Sequence, residues 1–194
     1  MNTVIIKYNA GNVQSVIFAL ERIGINAQLS DDSEIITKAD KVIFPGVGEA
    51  GSAMNYLKEK NLDKVIKELK QPVLGICLGM QLLCQHSEES NTECLGIFDE
   101  KVKLFPSDKN LKVPHVGWNT IYDLKSQLYK NCNEEYVYYV HSYYVEVGEH
   151  TIAKTNYILP FSASIHKNNI YACQFHPEKS GSIGETILKN FIAL

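Results

Sequence analysis

Apolar residues come first as a short run at positions 3–7, then at helical spacing: Val13, Val16, Ile17, Leu20 and Ile23. The three-to-four period predicts a helix, opened by Gly11-Asn12 with Asn12 as N-cap and closed by Gly24. Residues 25–29 read as a second strand and 41–44 as a third. A further helix carries Ala50, Ala53, Met54 and Leu57; Leu62, Val65, Ile66 and Leu69 continue it or form a separate short one. The run 72–83 reads as strand, tight turn, helix. Strand alternating with helix predicts an α/β fold with an open, mostly parallel sheet. Beyond residue 100 the pattern changes to short β runs at 102–105, 116–121, 136–145, 152–155, 162–166 and 170–175, several of which should pair antiparallel. Ile183, Ile187, Leu188, Phe191 and Ile192 mark a closing helix.

Composition narrows the class. The chain has 194 residues, 45% hydrophobic and 21% charged, which fits a single domain with a sizeable core. A net charge of −3 without any Lys/Arg-dense block argues against nucleic acid or an anionic membrane as partner. Arg22 is the only arginine, which argues against a buried bidentate clamp on a phosphate. Cys77, Cys84, Cys94, Cys132 and Cys173 make an odd count with no Cys-x-x-Cys pair, so we expect free thiols and no metal site. Residues 1–7 lack a basic region, a long apolar stretch and a cleavage site, and no later run is long enough to span a bilayer. The expected location is cytoplasmic.

Candidate chemistry centres on Gly75-Ile76-Cys77-Leu78-Gly79. A strand-to-helix turn flanked by glycines is the nucleophile-elbow arrangement, with Cys77 in the nucleophile's place and the next N–H aimed where an oxyanion forms. The alternative is a buried cysteine acting as a small hydrophobe. A nucleophilic cysteine needs a base and something to orient it. His176-Pro177-Glu178 supplies both if the segment is extended, because residues two apart then share a side. A structural His–carboxylate pair is the competing reading. Pro45-Gly46-Val47-Gly48 follows the third strand, and in a parallel sheet it should face the same crevice as the elbow. It then offers a second oxyanion donor, although Pro-Gly is also an ordinary turn. Residues 87–93 are polar and read as a surface loop. His141 sits in a Tyr-rich strand without a nearby acid, and His86, His115, His150 and His166 read as surface or core histidines.

Together, Gly75-Ile76-Cys77-Leu78-Gly79-Met80-Gln81 and the distant His176-Pro177-Glu178 resemble the class I, triad-type glutamine amidotransferases. Pro45-Gly46-Val47-Gly48 and Pro114-His115-Val116-Gly117-Trp118-Asn119 are similar to the branch of glutaminase subunits from imidazole glycerol phosphate synthases of histidine biosynthesis. The resemblance runs the whole length and implies one glutaminase domain, 1–194, of that fold. It implies a Cys77, His176, Glu178 triad that hydrolyses glutamine without a cofactor, and an oxyanion held by Leu78 and, after a loop adjustment, by Val47 between Gly46 and Gly48. It places glutamine against Gly79, Gln81, Glu89, Ser142 and Tyr143. Trp118 and Asn119 fall at the surface for a (β/α)8-barrel cyclase partner that receives the ammonia. The family's first strand often ends Asp-Tyr-Gly, where this chain has Lys7-Tyr8-Asn9. Two alternatives stay open: a glutaminase serving another small-metabolite amidation, and a regulatory module on the same fold with Cys77 structural.

Overall fold

The computed structural model describes residues 1–8 and 13–194. The proposed Asn12 cap and the Asn9 departure lie outside them. In chain order the elements are β1 (Thr3–Ile6), α1 (Val13–Arg22), β2 (Ala27–Ser30), α2 (Ser33–Thr37), β3 (Lys41–Phe44), α3 (Ala50–Glu59), α4 (Leu62–Glu68), β4 (Val73–Ile76), α5 (Leu78–Leu83), β5 (His86–Ser87), β6 (Thr92–Glu93), β7 (Lys101–Leu104), β8 (His115–Thr120), β9 (Tyr136–His141), β10 (Tyr143–Val145), β11 (Thr151–Tyr157), β12 (Leu159–Lys167), β13 (Ile170–Cys173) and α6 (Gly181–Ala193).

The central sheet has the order β11-β12-β13-β4-β3-β1-β2. From β13 to β2 every pairing is parallel, and β11 and β12 add an antiparallel edge. Its inner strands β1, β3 and β4 are buried on both faces, as their unbroken apolar runs require. Val4, Ile6, Val42, Phe44 and Val73 pack against Ala53, Leu57 and Ile66 of α3 and α4. The alternate residues Ile5, Ile43, Leu74 and Ile76 pack against Val16 and Leu20 of α1 and Ile187 and Phe191 of α6.

This topology gathers the candidate site. β4 lies mid-sheet with β13 and β3 parallel on either side, with Cys173 level with Ile76 and Phe44 level with Gly75. Three strands therefore release their chains at the same, carboxyl end of the sheet: Cys77 from β4, His176 from β13 and the Pro45–Gly48 loop from β3. The loop and the elbow meet closely. A Cβ on Gly79 would lie 1.9 Å from the Phe44 carbonyl oxygen, so only glycine permits this approach.

Of the two readings of 50–69 the separate short helix holds, with α3 and α4 divided by Asn61 in the left-handed conformation. The structure departs from the sequence reading in three places. Helix α2 was not anticipated; Asp32 caps it by accepting from the Glu34 and Ile35 N–H groups. The β run over 136–145 is two strands in different sheets, because the chain changes partner at Ser142: β9 pairs with β8, and β10 with β7. The segment 87–93 is not a loose surface loop. Ser87 and Thr92 are buried, β5 pairs with β6, and the Glu88 carboxylate accepts the Leu104 N–H at 2.7 Å. No helix among the described residues is long and apolar enough to cross a membrane.

Candidate active site

Cys77 leaves β4 at φ 53°, ψ −110°, neither helical nor extended. For a side chain with a Cβ this is a strained conformation of the kind that accompanies a nucleophile elbow. The peptide is pinned from both sides: its N–H donates to the Cys173 carbonyl at 2.8 Å, and its carbonyl accepts from the Gln81 N–H at 3.2 Å. The sulfur stands 3.9 Å from the Val140 carbonyl oxygen and 3.7 Å from Gln174 Nε2.

His176 Nδ1 lies 2.8 Å from Glu178 Oε1, with both side chains almost wholly buried. The His-Pro-Glu stretch is extended only at His176, where φ is −100° and ψ 95°; Pro177–Lys179 form a single 3-10 turn. Proline's fixed φ suits the first position of such a turn. Ser180 locks it, donating its hydroxyl to the His176 carbonyl at 2.6 Å while accepting the Tyr138 N–H at 3.0 Å. Burial opposes a charged His176, but the Cys77 sulfur and the Glu178 carboxylate outweigh it and raise His176 to about 10. The ring feels the sulfur at close range, and its Nε2 has no partner other than that sulfur.

A cavity of about 330 Å3 opens beside the thiol. Of the sequence candidates, Val47, Gly48, Leu78, Gln81, Glu89, Ser142 and Tyr143 line it, together with His141 and Val140. Gly46 and Gly79 do not form its wall. Gly79 serves the backbone contact with Phe44, and the Gly46 carbonyl accepts the Leu78 N–H at 3.2 Å. Because the two dipoles of a trans peptide point in opposite directions, the Val47 N–H faces away from Leu78. Tyr8, buried below the loop, donates its hydroxyl to the Pro45 carbonyl. Glu89 accepts the Ala50 N–H at 2.8 Å, and burial raises its carboxyl.

Two polar threads meet at the Tyr143 carbonyl, and reading the sequence found neither. Gln81 Nε2 donates to it at 3.0 Å and also to Gln174 Oε1 at 3.0 Å. His141 Nδ1 lies 2.7 Å from the same oxygen, and its Nε2 lies 3.0 Å from His115 Nδ1. A carbonyl only accepts, so His141 carries its proton on Nδ1 and accepts from His115 at Nε2. Burial holds both rings neutral, lowering His115 to about 4 and His141 to about 3. The one local signal is a polar residue at a strand end: His115 opens β8, His141 closes β9 and Gln174 follows β13.

Strands β8 and β9 form a ribbon whose faces differ. His115 and Asn119 point inward with Val137, Tyr139 and His141. Val116, Trp118, Tyr136 and Val140 point out, with Trp118 55% and Val116 57% exposed. Trp118 is thus on the outer face. Asn119 is turned away from it: its amide nitrogen bonds to His115 and to the Asn156 carbonyl, and its oxygen accepts the Thr120 N–H. Strand alternation separates the two neighbours.

The model of the family "Glutamine amidotransferase class-I" matches residues 4–194. The imidazole glycerol phosphate synthase subunit HisH of Bacteroides fragilis is 61% identical, with both chains covered fully. HisH of Escherichia coli K12 is 45% identical, again over the whole of both chains. Among solved structures, a glutamine amidotransferase superposes with a TM-score of 0.76 at 17% identity, covering 98% of this chain and 97% of its own. PurLQS from Thermotoga maritima superposes at 0.70 with 14% identity, covering 99% and 97%. These two speak to the fold alone. The chain belongs to the class I glutamine amidotransferase family and, within it, to the HisH subunits of imidazole glycerol phosphate synthase.

Proposed function

We propose that this chain is a single glutaminase domain, residues 1–194, that releases ammonia from glutamine through Cys77, His176 and Glu178. It supplies that ammonia to a (β/α)8-barrel cyclase subunit forming imidazole glycerol phosphate in histidine biosynthesis. The observation that carries the reading is the convergence, at the carboxyl ends of adjacent strands, of a strained Cys77 and a buried His176 oriented at 2.8 Å by Glu178. A structural cysteine has no use for either feature.

Glutamine occupies the cavity between Glu89 and Tyr143 with its carboxamide at Cys77. The thiolate, its proton held by His176, attacks the carboxamide carbon. His176 then gives that proton to the amide nitrogen as the C–N bond breaks and ammonia leaves. This forms a glutamyl thioester. Water, losing a proton to His176, attacks the thioester carbon; glutamate departs and the thiol is restored. Glu178 keeps the imidazole tautomer and favours the imidazolium. The tetrahedral oxyanion needs the Leu78 N–H and a second donor. In the resting geometry Leu78 is occupied by the Gly46 carbonyl and Val47 faces away, so turnover requires the Gly46–Val47 peptide to turn over. Five free thiols fit a reducing cytoplasm.

The test uses the complex with its cyclase subunit. Cys77→Ser should abolish glutamine-dependent synthesis of imidazole glycerol phosphate and leave synthesis from added ammonia intact. Loss of neither activity would remove Cys77 from the mechanism.

A further inference from the structure

The glutaminase reading leaves Gln174 without a task. Its side chain is wholly buried, an uncommon place for an amide. Its orientation follows from its neighbours without any view of hydrogens. The Tyr143 carbonyl only accepts, so the Gln81 atom beside it is the nitrogen. That nitrogen also faces Gln174, which must present its oxygen there. The Gln174 nitrogen therefore points at the Cys77 sulfur, 3.7 Å away. The chain is polarised in one direction, from a fixed backbone carbonyl to the reacting atom.

We propose that Gln174 is a further catalytic residue, whose amide N–H holds the Cys77 thiolate in an orientation imposed by Gln81 and the Tyr143 carbonyl. The proposal rests on Cys77 being the nucleophile. An N–H beside sulfur bonds the thiolate more strongly than the thiol, since charge-assisted hydrogen bonds are the stronger ones. Other groups act on the same sulfur: His176 with Glu178 behind it, the Tyr8 hydroxyl, the Cys173 thiol and, as acceptor, the Val140 carbonyl. His176 must move a proton during turnover, so its hold on the sulfur changes through the cycle. Gln174 has no proton to exchange, so its donor stays in place throughout the cycle.

The test is alkylation of the full chain by iodoacetamide across pH, read by mass spectrometry at the Cys77 peptide, in wild type, Gln174→Met and Gln81→Met. Methionine is unbranched and similar in size but has no N–H. The Gln174→Met profile should move to higher pH by about one unit, the scale of one hydrogen bond to a charged group. Its kcat for glutamine in the cyclase complex should fall about tenfold with KM within about twofold. Gln81→Met should give a smaller shift in the same direction and a raised KM, because Gln81 also lines the cavity. A superimposable profile in a Gln174→Met chain with unchanged melting overturns the proposal. If that variant does not fold, an unmoved Gln81→Met profile does so. Failure of wild-type Cys77 to react ahead of the other four thiols would instead remove the nucleophile reading beneath it.

Discussion

His115 Nδ1 donates to His141 Nε2 across 3.0 Å, and both rings are buried and neutral. An unfolded chain protonates these histidines below about pH 6.5. The folded chain refuses the protons until about 4 for His115 and about 3 for His141. The unfolded state therefore binds more protons in that interval, and stability falls as pH drops below about 6.5. His176, raised to about 10, is charged in the folded chain throughout, so its protonation in the unfolded chain near pH 6.5 offsets a small part of this slope and adds nothing further below about pH 5.5. Glu49, lowered to about 2 by hydrogen bonds from Ser90, Ser52 and Gly51, acts only below its ordinary value near 4.5. Between pH 6.5 and 5 each histidine of the pair withholds about 1.5 kcal/mol, so the melting temperature of a chain this size should drop by roughly 5–10 °C. His115→Gln with His141→Gln should flatten that slope in calorimetry; an unchanged slope would mean that other groups set it.

The two residues after β13 should differ in the size of their effects. His176→Ala removes the group through which both proton transfers pass, and glutaminase turnover should fall to near background. Glu178→Gln leaves a neutral partner for Nδ1 and should cost less, about a hundredfold against ten-thousandfold for His176. Steady-state glutamate release in the complex separates them. Equal losses in folded proteins would mean that Glu178 does more than orient the ring.

Trp118 faces solvent on the same ribbon whose inner face carries the histidine pair. An apolar strip of Val116, Trp118, Tyr136 and Val140 is larger than isolated surface residues explain, and the strip reaches Val140, whose carbonyl meets the thiol. Trp118→Ala should weaken cyclase binding about tenfold or more by titration calorimetry and reduce ligand-stimulated glutamate release. Cys77 alkylation in the free chain should stay at the wild-type rate. A changed alkylation rate with wild-type binding would relocate Trp118 from the interface to the site.

Much of the central sheet was readable because its inner strands are unbroken apolar runs between turn residues, and Cys77, His176 and Glu178 stood out as chemistry set at the ends of such runs. What escaped notice was partnership at long range. Gln174 lies 97 positions from the Cys77 sulfur it meets, and His115 lies 26 from His141. Neither spacing leaves a local period. The break at Ser142 is invisible for a similar reason: Tyr and Val, good strand formers, continue on both sides of it while the hydrogen-bonding partner changes from β8 to β7. Glu178 was expected on an extended segment, but Ser180, four residues beyond His176, curls the chain into a turn.

The Gly46 carbonyl in the place of an oxyanion, bonded to the Leu78 N–H, predicts a slow isolated enzyme. Turning the Gly46–Val47 peptide over rotates ψ of Gly46 and φ of Val47 by about 180°. Val47 is at negative φ now, so the flip carries a β-branched residue towards positive φ, a strained region for it. Such strain costs about 1–3 kcal/mol, and one missing oxyanion donor costs about a hundred- to a thousandfold in rate. The resting loop thus sits in its relaxed state, and a bound cyclase must favour the strained one. Two outcomes follow. Adding the cyclase with its nucleotide ligand should raise glutamate release by about two to three orders of magnitude. Val47→Gly, which removes the strain without touching Cys77, His176 or the Leu78 N–H, should raise the rate of the isolated chain about tenfold and shrink the stimulation by the same factor. Glutamate release by Val47→Gly equal to wild type without partner, with full activity in the complex, would show that strain at Val47 does not hold the loop at rest.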